Sequence, residues 1–299
     1  MLQLTLASPT VAAVDLAPAR EASLFRRLLR NNSGVVGLVI VCIFAIVALL
    51  GATGLTPHPP AAQSPRDRLQ PPSAQHIMGT DLFGRDVASR LMEGAANSLR
   101  VALVSVALSG TIGTLLGVTA GYFGGTLDNV IMRTMDVFFA FPALLLALVV
   151  VTVLGPGLNN ATIAIAIVYT PIFARVARGP VLSVKEMEFV TAARCLGAQD
   201  WRLLSRHVLP NTLAPLIVQV TLALSWALLT EASLSFLGLG TQPPAASWGV
   251  MLSESRSLAE RAPWLMVYPG IAIMMGVLGF NLLGDGLRDT LDPRMRGRR

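Results

Sequence analysis

Charged residues are scarce in this sequence of 299 residues. Asp, Glu, Lys and Arg together make up 13% of it, whereas hydrophobic residues make up 53%. A soluble domain usually carries about 25% charged residues. A chain with so few charges cannot cover a globular surface with them, and it is too apolar to remain disordered. The composition therefore predicts a protein that uses lipid as the solvent for much of its surface.

Lysine, cysteine and histidine are also rare. The single lysine is Lys185, and its neighbours do not form the Gly-Lys-Ser/Thr of a P-loop, so we expect no ATP hydrolysis by this chain. The two cysteines, Cys42 and Cys195, form no CxxC motif and predict no disulfide framework. The three histidines are scattered along the chain, which predicts no metal site. They are His58, His76 and His207.

Basic residues outnumber acidic ones by 23 to 17. A basic excess can indicate nucleic-acid binding, but these residues lie between apolar runs, as the basic residues of cytoplasmic loops do. We therefore expect membrane lipid around the chain and no nucleic-acid partner. With the N-terminus inside, most basic residues fall on the inner segments, which predicts that both termini are cytoplasmic.

Long apolar runs predict six membrane-spanning helices, because about 20 residues cross a hydrocarbon core. The predicted spans are 34–55, 99–121, 136–154, 159–176, 212–239 and 263–284. A turn signal at Gly155-Pro156-Gly157 separates the third span from the fourth. A cleaved signal peptide is the alternative for the first run, but a long segment precedes its apolar core and no convincing cleavage site follows.

The remaining segments follow from these spans. They are a cytoplasmic tail (1–33), an extracytoplasmic linker (56–98), a core (99–292) that contains an inner loop (177–211), and a basic C-terminal tail (293–299). In the linker, prolines predict an extended stretch. After it we expect an amphipathic helix on the outer membrane face, with Leu82, Val87 and Leu91 on its apolar stripe and Arg85 and Arg90 off it.

The inner loop has a helical pattern, with Val190, Ala193 and Leu196 on one stripe. We expect Gly197 to end a first helix and Asp200 to cap a second, short one. Pro210 is expected to end that second helix before the next span. The pattern alone fits two alternatives, a pair of helices lying on the membrane surface or a docking site for a cytoplasmic partner.

Glu231 is a lone carboxylate in the fifth span. It could carry a coupling proton, or it could be an interfacial carboxylate that pairs with a partner or caps a helix. Asp128, Arg133 and Asp136 offer a similar choice, between a brace that links the second and third spans and a solvated pair of Arg133 with Asp136. The serines of the fifth span have no histidine nearby, so we expect no catalytic residue.

The residues Thr191-Ala192-Ala193, followed by Gly197 and Leu209-Pro210-Asn211, resemble the EAA loop of ABC importer permeases. Further similar segments are 79–90, 128–133, 141–142, 231–240, 243–244 and 247–249. Together they resemble the C-type permease of dipeptide and oligopeptide systems over about residues 20–292. Thr191 stands where the family has its acidic residue, so a contact through that carboxylate is not carried over.

The resemblance implies an all-α permease with the type I ABC importer fold, in the bacterial inner membrane. It implies half of a pathway for dipeptides or oligopeptides, with nickel chelates, glutathione or opines as alternative substrates and a proton-coupled secondary transporter as the alternative class. The implied partners are a second homologous permease, two cytosolic ATPase subunits and an extracytoplasmic solute-binding protein. No cofactor is expected on this chain, since ATP and Mg²⁺ would bind the ATPases.

The resemblance also implies that the inner loop fits a cleft on the ATPase and couples its closure to the membrane helices. Small side chains would let the loop lie close to that partner. The candidate coupling residues are Glu188, Thr191, Ala192, Ala193, Arg194, Gly197, Ala198, Asp200, Arg202 and Pro210.

Overall fold

The computed structural model describes residues 24–291. The predicted basic tail (293–299) and most of the predicted N-terminal tail lie outside the described residues. Between residues 24 and 291 the chain is helical and contains no β-strand. The helices are α1 (Leu24–Leu28), α2 (Asn32–Ala52), α3 (Val87–Phe123), α4 (Gly125–Phe139), α5 (Ala143–Leu154), α6 (Leu158–Val184), α7 (Glu188–Cys195), α8 (Asp200–Leu203), α9 (Leu209–Phe236), α10 (Trp248–Ser255) and α11 (Trp264–Leu291).

Five of the described helices are long and apolar enough to cross a membrane: α2, α3, α6, α9 with its N-terminal extension, and α11. The pair α4 and α5 supplies a sixth span if its two helices are counted together, although they meet at an angle of 93°. The expected number of six spans is therefore reached when α4 and α5 are counted as one broken span.

The break in that span corrects the prediction of one straight helix over 136–154. The first helix starts earlier, at Gly125, and ends at Phe139, and the second starts at Ala143 after Pro142. Proline has no backbone N–H and its ring clashes with the preceding helical turn, so Pro142 stops the first helix and can only open the second.

The start of α3 corrects the prediction of a separate interfacial helix. The turn before α3 holds Gly79 and Gly84 at positive φ, and a Cβ on Gly84 would lie 1.9 Å from the Ser64 carbonyl oxygen. Asp86 then caps α3 by accepting a hydrogen bond from the Ser89 N–H, and the helix runs without interruption to Phe123. Residues of the expected amphipathic helix are thus part of a turn and of the span itself.

The inner loop also differs at both ends from its predicted bounds. It starts at Lys185 rather than at residue 177, because α6 continues to Val184. At its other end Pro210 does not end a helix. A π-helical segment at Leu204–Val208 joins α8 to α9, and Pro210 lies in the first turn of α9, where its missing N–H is tolerated.

Small residues bring the central helices into backbone contact. A Cβ on Gly117 of α3 would lie 2.1 Å from the carbonyl oxygen of Ala174 in α6, and one on Gly113 would lie 2.5 Å from that of Thr170. Such close approach is the usual way in which membrane helices gain packing energy, since lipid gives no hydrophobic drive between them. The core of the bundle therefore centres on α3 and α6.

Contacts between helix ends place the inner loop on the same face as both ends of the described chain. The end of α2 meets the start of α3, since Gly51 lies against the Met92 backbone. At the opposite face, Asn31 before α2 donates a hydrogen bond to Asp289 near the end of α11. The end of α3 lies on that face too, next to α8. We call this the inner face, following the predicted orientation, and the face with residues 53–86 the outer face.

Candidate functional site

The loop between α6 and α9 folds into a helix pair, α7 and α8, around Gly197. This glycine has φ +83°, and it ends α7 as predicted. Its N–H donates to the Arg194 carbonyl oxygen at 3.0 Å, and the N–H of Ala198 donates to that of Ala193 at 3.1 Å. These bonds satisfy the last carbonyl groups of α7 and fix the turn into α8.

Polar contacts attach this helix pair to the inner end of α3. Asp200 accepts a hydrogen bond from the Tyr122 hydroxyl at 2.6 Å. It does not cap α8 as expected, since it is the first residue of that helix and Gln199 holds the cap position. Arg194 donates to the same hydroxyl at 3.4 Å, and the Lys185 ammonium donates to the Gly121 carbonyl oxygen at 2.9 Å. These three bonds join the loop to the last turn of α3.

Apolar side chains anchor one side of the pair and project from the other. Val190 and Leu203 are fully buried against the bundle. Leu196 is 89% exposed and Trp201 is 79% exposed. The sequence pattern places Leu196 on one stripe with Val190, but Leu196 lies beyond the end of α7 at Cys195 and is not buried with it. The helix pair thus exposes two large apolar side chains at the inner face.

The other predicted coupling residues fall into two groups around this turn. Ala193 and Ala198 are half-buried and pack against the core, so they hold the helix pair on the bundle. The remaining candidates are exposed, although two of them, Arg194 and Asp200, are bonded to Tyr122. They are Glu188, Thr191, Ala192, Arg194, Gly197, Asp200, Arg202 and Pro210.

The acidic residues of α4 form ion pairs with α6. Asp128 receives both Nε and Nη2 of Arg178, each at 2.6 Å, and Asp136 pairs with Arg175. The expected pair of Arg133 with Asp136 is not formed, and Arg133 is exposed with no ion pair among residues 24–291. The two acids therefore link the third span to the fourth, and not the second to the third as expected, through arginines 39 and 50 residues away in sequence.

Residues 113–297 match the family described as the binding-protein-dependent transport system inner membrane component. Residues 19–72 match the N-terminal transmembrane domain of oligopeptide transport permease C. The chain belongs to this permease family. It is accordingly a multi-pass protein of the bacterial inner membrane and a transport subunit that works with ATPase and substrate-binding partners.

Individual relatives cover nearly the whole permease. A dipeptide transport system permease protein DppC from Alkalihalophilus pseudofirmus is 48% identical over 94% of this chain and 91% of its own length. A glutathione transport system permease protein GsiD from Pectobacterium atrosepticum is 44% identical, with 93% and 92% covered. A solved MetNI methionine ABC transporter chain has a TM-score of 0.57 at 19% identity, covering 68% of the permease and 96% of that chain, which shows the shared fold.

Glu231 of the permease is buried inside the bundle, with 1% of the residue exposed. Its Oε1 accepts a hydrogen bond from the Ser235 hydroxyl at 2.7 Å, and Ser98 and Ser247 lie beside the carboxylate. It is therefore enclosed by protein, and it forms no ion pair in the described part of the chain. The three hydroxyls come from α3, from α9 and from the residue before α10. This arrangement favours a structural role, in which Glu231 holds these helices together, over a role in the pathway.

A charged cluster at the outer face was missed by reasoning from the sequence. Arg85 and Arg90 were expected at a membrane surface, but both are buried, and each donates to Glu254 at 2.8 Å. Arg85 also pairs with Asp81. Glu254 lies in α10, so this cluster joins α10 to the start of α3 and to the turn before it. No periodic signal could reveal it, because the partners are more than 160 residues apart.

Proposed function

We propose that this permease forms half of the translocation pathway of a peptide importer and that α7 and α8 are its docking site for a cytosolic ATPase. Exposed Leu196 and Trp201 at the inner face are the observation that supports docking. The peptide substrate is supported by the relatives named for dipeptides and by one named for glutathione, itself a short peptide.

The proposed transporter has four further components. A second homologous permease completes the pathway, two ATPase subunits drive it, and an extracytoplasmic solute-binding protein delivers the peptide. ATP and Mg²⁺ bind the ATPases, because the single lysine of this chain, Lys185, lies outside any P-loop sequence and is held on Gly121.

Coupling proceeds through the anchored side of the helix pair. ATP binding closes the ATPases and moves α7 and α8. The bond between Tyr122 and Asp200, together with that between Lys185 and Gly121, passes this motion to α3. Because α3 is packed on α6 with backbone contact, the two helices move as a unit, and the cavity alternates between its outward-facing and inward-facing forms.

The test is co-purification of the ATPase subunits with tagged permease carrying Leu196→Asp. This side chain has few contacts within the chain, so its replacement should leave the fold intact. Gly197→Trp is a less clean probe, since any side chain at φ +83° strains the turn. We expect the ATPase to be lost with Leu196→Asp and retained with Ile77→Asp, a matched change of an exposed residue at the outer face.

The substrate is tested separately, by uptake of a labelled dipeptide into proteoliposomes that hold the assembled transporter and its binding protein. Competition by unlabelled glutathione or a nickel chelate distinguishes the alternative substrates. Normal ATPase recovery with Leu196→Asp would refute the docking assignment. Uptake by the permease alone, without ATPase or ATP, would refute the importer assignment.

A further inference from the structure

Two of the three histidines, His58 and His76, meet Asp86 at the outer face, and each of these three residues lies in a different segment of the outer region. His58 lies in the segment that follows α2, His76 lies in the next loop, and Asp86 is the cap of α3. One possible ligand atom from each residue lies within 4.8 Å of the others. The two imidazole rings are 4.9 Å apart at an angle of 38°. The spacing of the histidines in the sequence did not predict that two of them share a site with Asp86.

Asp86 is held as a buried carboxylate in this cluster. Its Oδ1 lies 2.9 Å from His76 Nδ1, and its Oδ2 accepts both the N–H and the hydroxyl of Ser89. Burial raises the pKa of Asp86, but the hydrogen bonds from His76 and Ser89 and the proximity of His58 outweigh it, so the pKa lies below the ordinary value. These bonds fix the carboxylate with Oδ1 directed toward both histidines.

His58 supplies the observation that points to a ligand. Its Nδ1 is inaccessible to solvent and has no hydrogen-bond partner among the described residues. It faces Asp86 Oδ1 at 3.7 Å, which is too long for a hydrogen bond. The backbone N–H of His58 donates to the Ser89 hydroxyl at 3.0 Å, so the ring is positioned beside Asp86 by the main chain. A buried ring nitrogen without a partner is unfavourable unless something binds it.

We propose that His58, His76 and Asp86 bind one divalent transition-metal ion of the Zn²⁺ class. Two imidazoles and one carboxylate are the donors that such ions prefer, whereas Mg²⁺ and Ca²⁺ prefer oxygen donors alone. Three protein ligands leave one coordination position for water or a further ligand.

The bound ion would clamp the end of the first span to the start of the second. His58 and Asp86 lie at the two ends of the outer linker, and His76 lies within it, so one ion would fix all three segments together. Because binding requires the folded arrangement, the ion stabilises the permease by mass action.

The test is a Zn²⁺ titration of purified, full-length permease in detergent, with a tag that contains no histidine. We expect saturable binding of one ion per chain and a rise in Tm. His58→Ala removes a ligand but no hydrogen bond of the side chain, so it should keep the metal-free Tm and bind Zn²⁺ at least about tenfold more weakly. His207→Ala, at the inner face, is the matched control and should bind as the wild type does.

A second readout uses Co²⁺ in place of Zn²⁺, since its visible absorption reports the coordination geometry. We expect absorption bands of a four- or five-coordinate ion in the wild type and their loss in His58→Ala. Asp86→Asn should also lose them while its amide oxygen keeps the cap of α3. No saturable Zn²⁺ binding, equal binding by His58→Ala, or loss of binding by His207→Ala would each overturn the proposal.

Discussion

The backbone contact between α3 and α6 makes Gly117→Ala a sensitive test of the fold. The added Cβ would lie 2.1 Å from the Ala174 carbonyl oxygen, whereas ordinary contact begins at 3.4 Å. The obstacle is main chain, so no side chain can move aside and the helices must separate by about 1 Å. Overpacking of this kind costs about 1–3 kcal/mol. At about 3 °C per kcal/mol, Tm should fall by roughly 3–9 °C.

Gly110→Ala provides the control for this measurement. It makes the same chemical change on the same helix, but the nearest atom to the added Cβ is a Phe173 ring carbon at 3.6 Å, an ordinary contact. Its Tm should equal or slightly exceed that of the wild type, because alanine favours the helix. Thermal unfolding in one detergent, followed by tryptophan fluorescence, gives both values. Equal Tm values for Gly117→Ala and Gly110→Ala would refute the close packing of α3 on α6.

Further predictions concern the buried and exposed charges. Glu254→Gln removes the carboxylate that buried Arg85 and Arg90 share, leaving them only Asp81, and should reduce the free energy of unfolding by about 3 kcal/mol, as measured by denaturant titration. Asp128→Asn breaks a two-bond pair and should cost about 1.5 kcal/mol, whereas Asp136→Asn at an exposed pair should cost under about 1 kcal/mol; the reverse order would contradict the brace. Glu231→Gln keeps an oxygen for the Ser235 hydroxyl, so peptide uptake should stay within about twofold; loss of uptake by a folded variant would indicate proton coupling.

Local chemistry allowed much of the fold to be predicted from the sequence. The apolar runs that become α2, α6 and α11 are recognisable because a helix in lipid must be apolar along its whole length. Gly197 was identified as a helix end because positive φ is favourable only for glycine. The broken span was missed, although Pro142 was a visible signal, because the charge-free run on both sides of it concealed the bend.

In the inner loop and in the ion pairs of α4, local sequence signals were again informative and contacts between helices were not predicted. The small residues around Gly197 indicated the position of the inner loop, but the exposure of Leu196 depended on where α7 ends and what covers it. The predicted partner of Asp136 was its neighbour Arg133, since spacing on one helix reports only local pairs. The actual partner, Arg175, comes from another helix.

The sequence by itself determined that this protein lies in a membrane and roughly where it crosses. These properties depend on composition and on periodicity within one segment. Only the tertiary structure decided which side chains share a site. Arg90 reaches Glu254, and His58 reaches Asp86, because helix packing brings distant segments together at the outer face. A single sequence contains no local signal for such contacts, since their geometry arises only when the helices have packed.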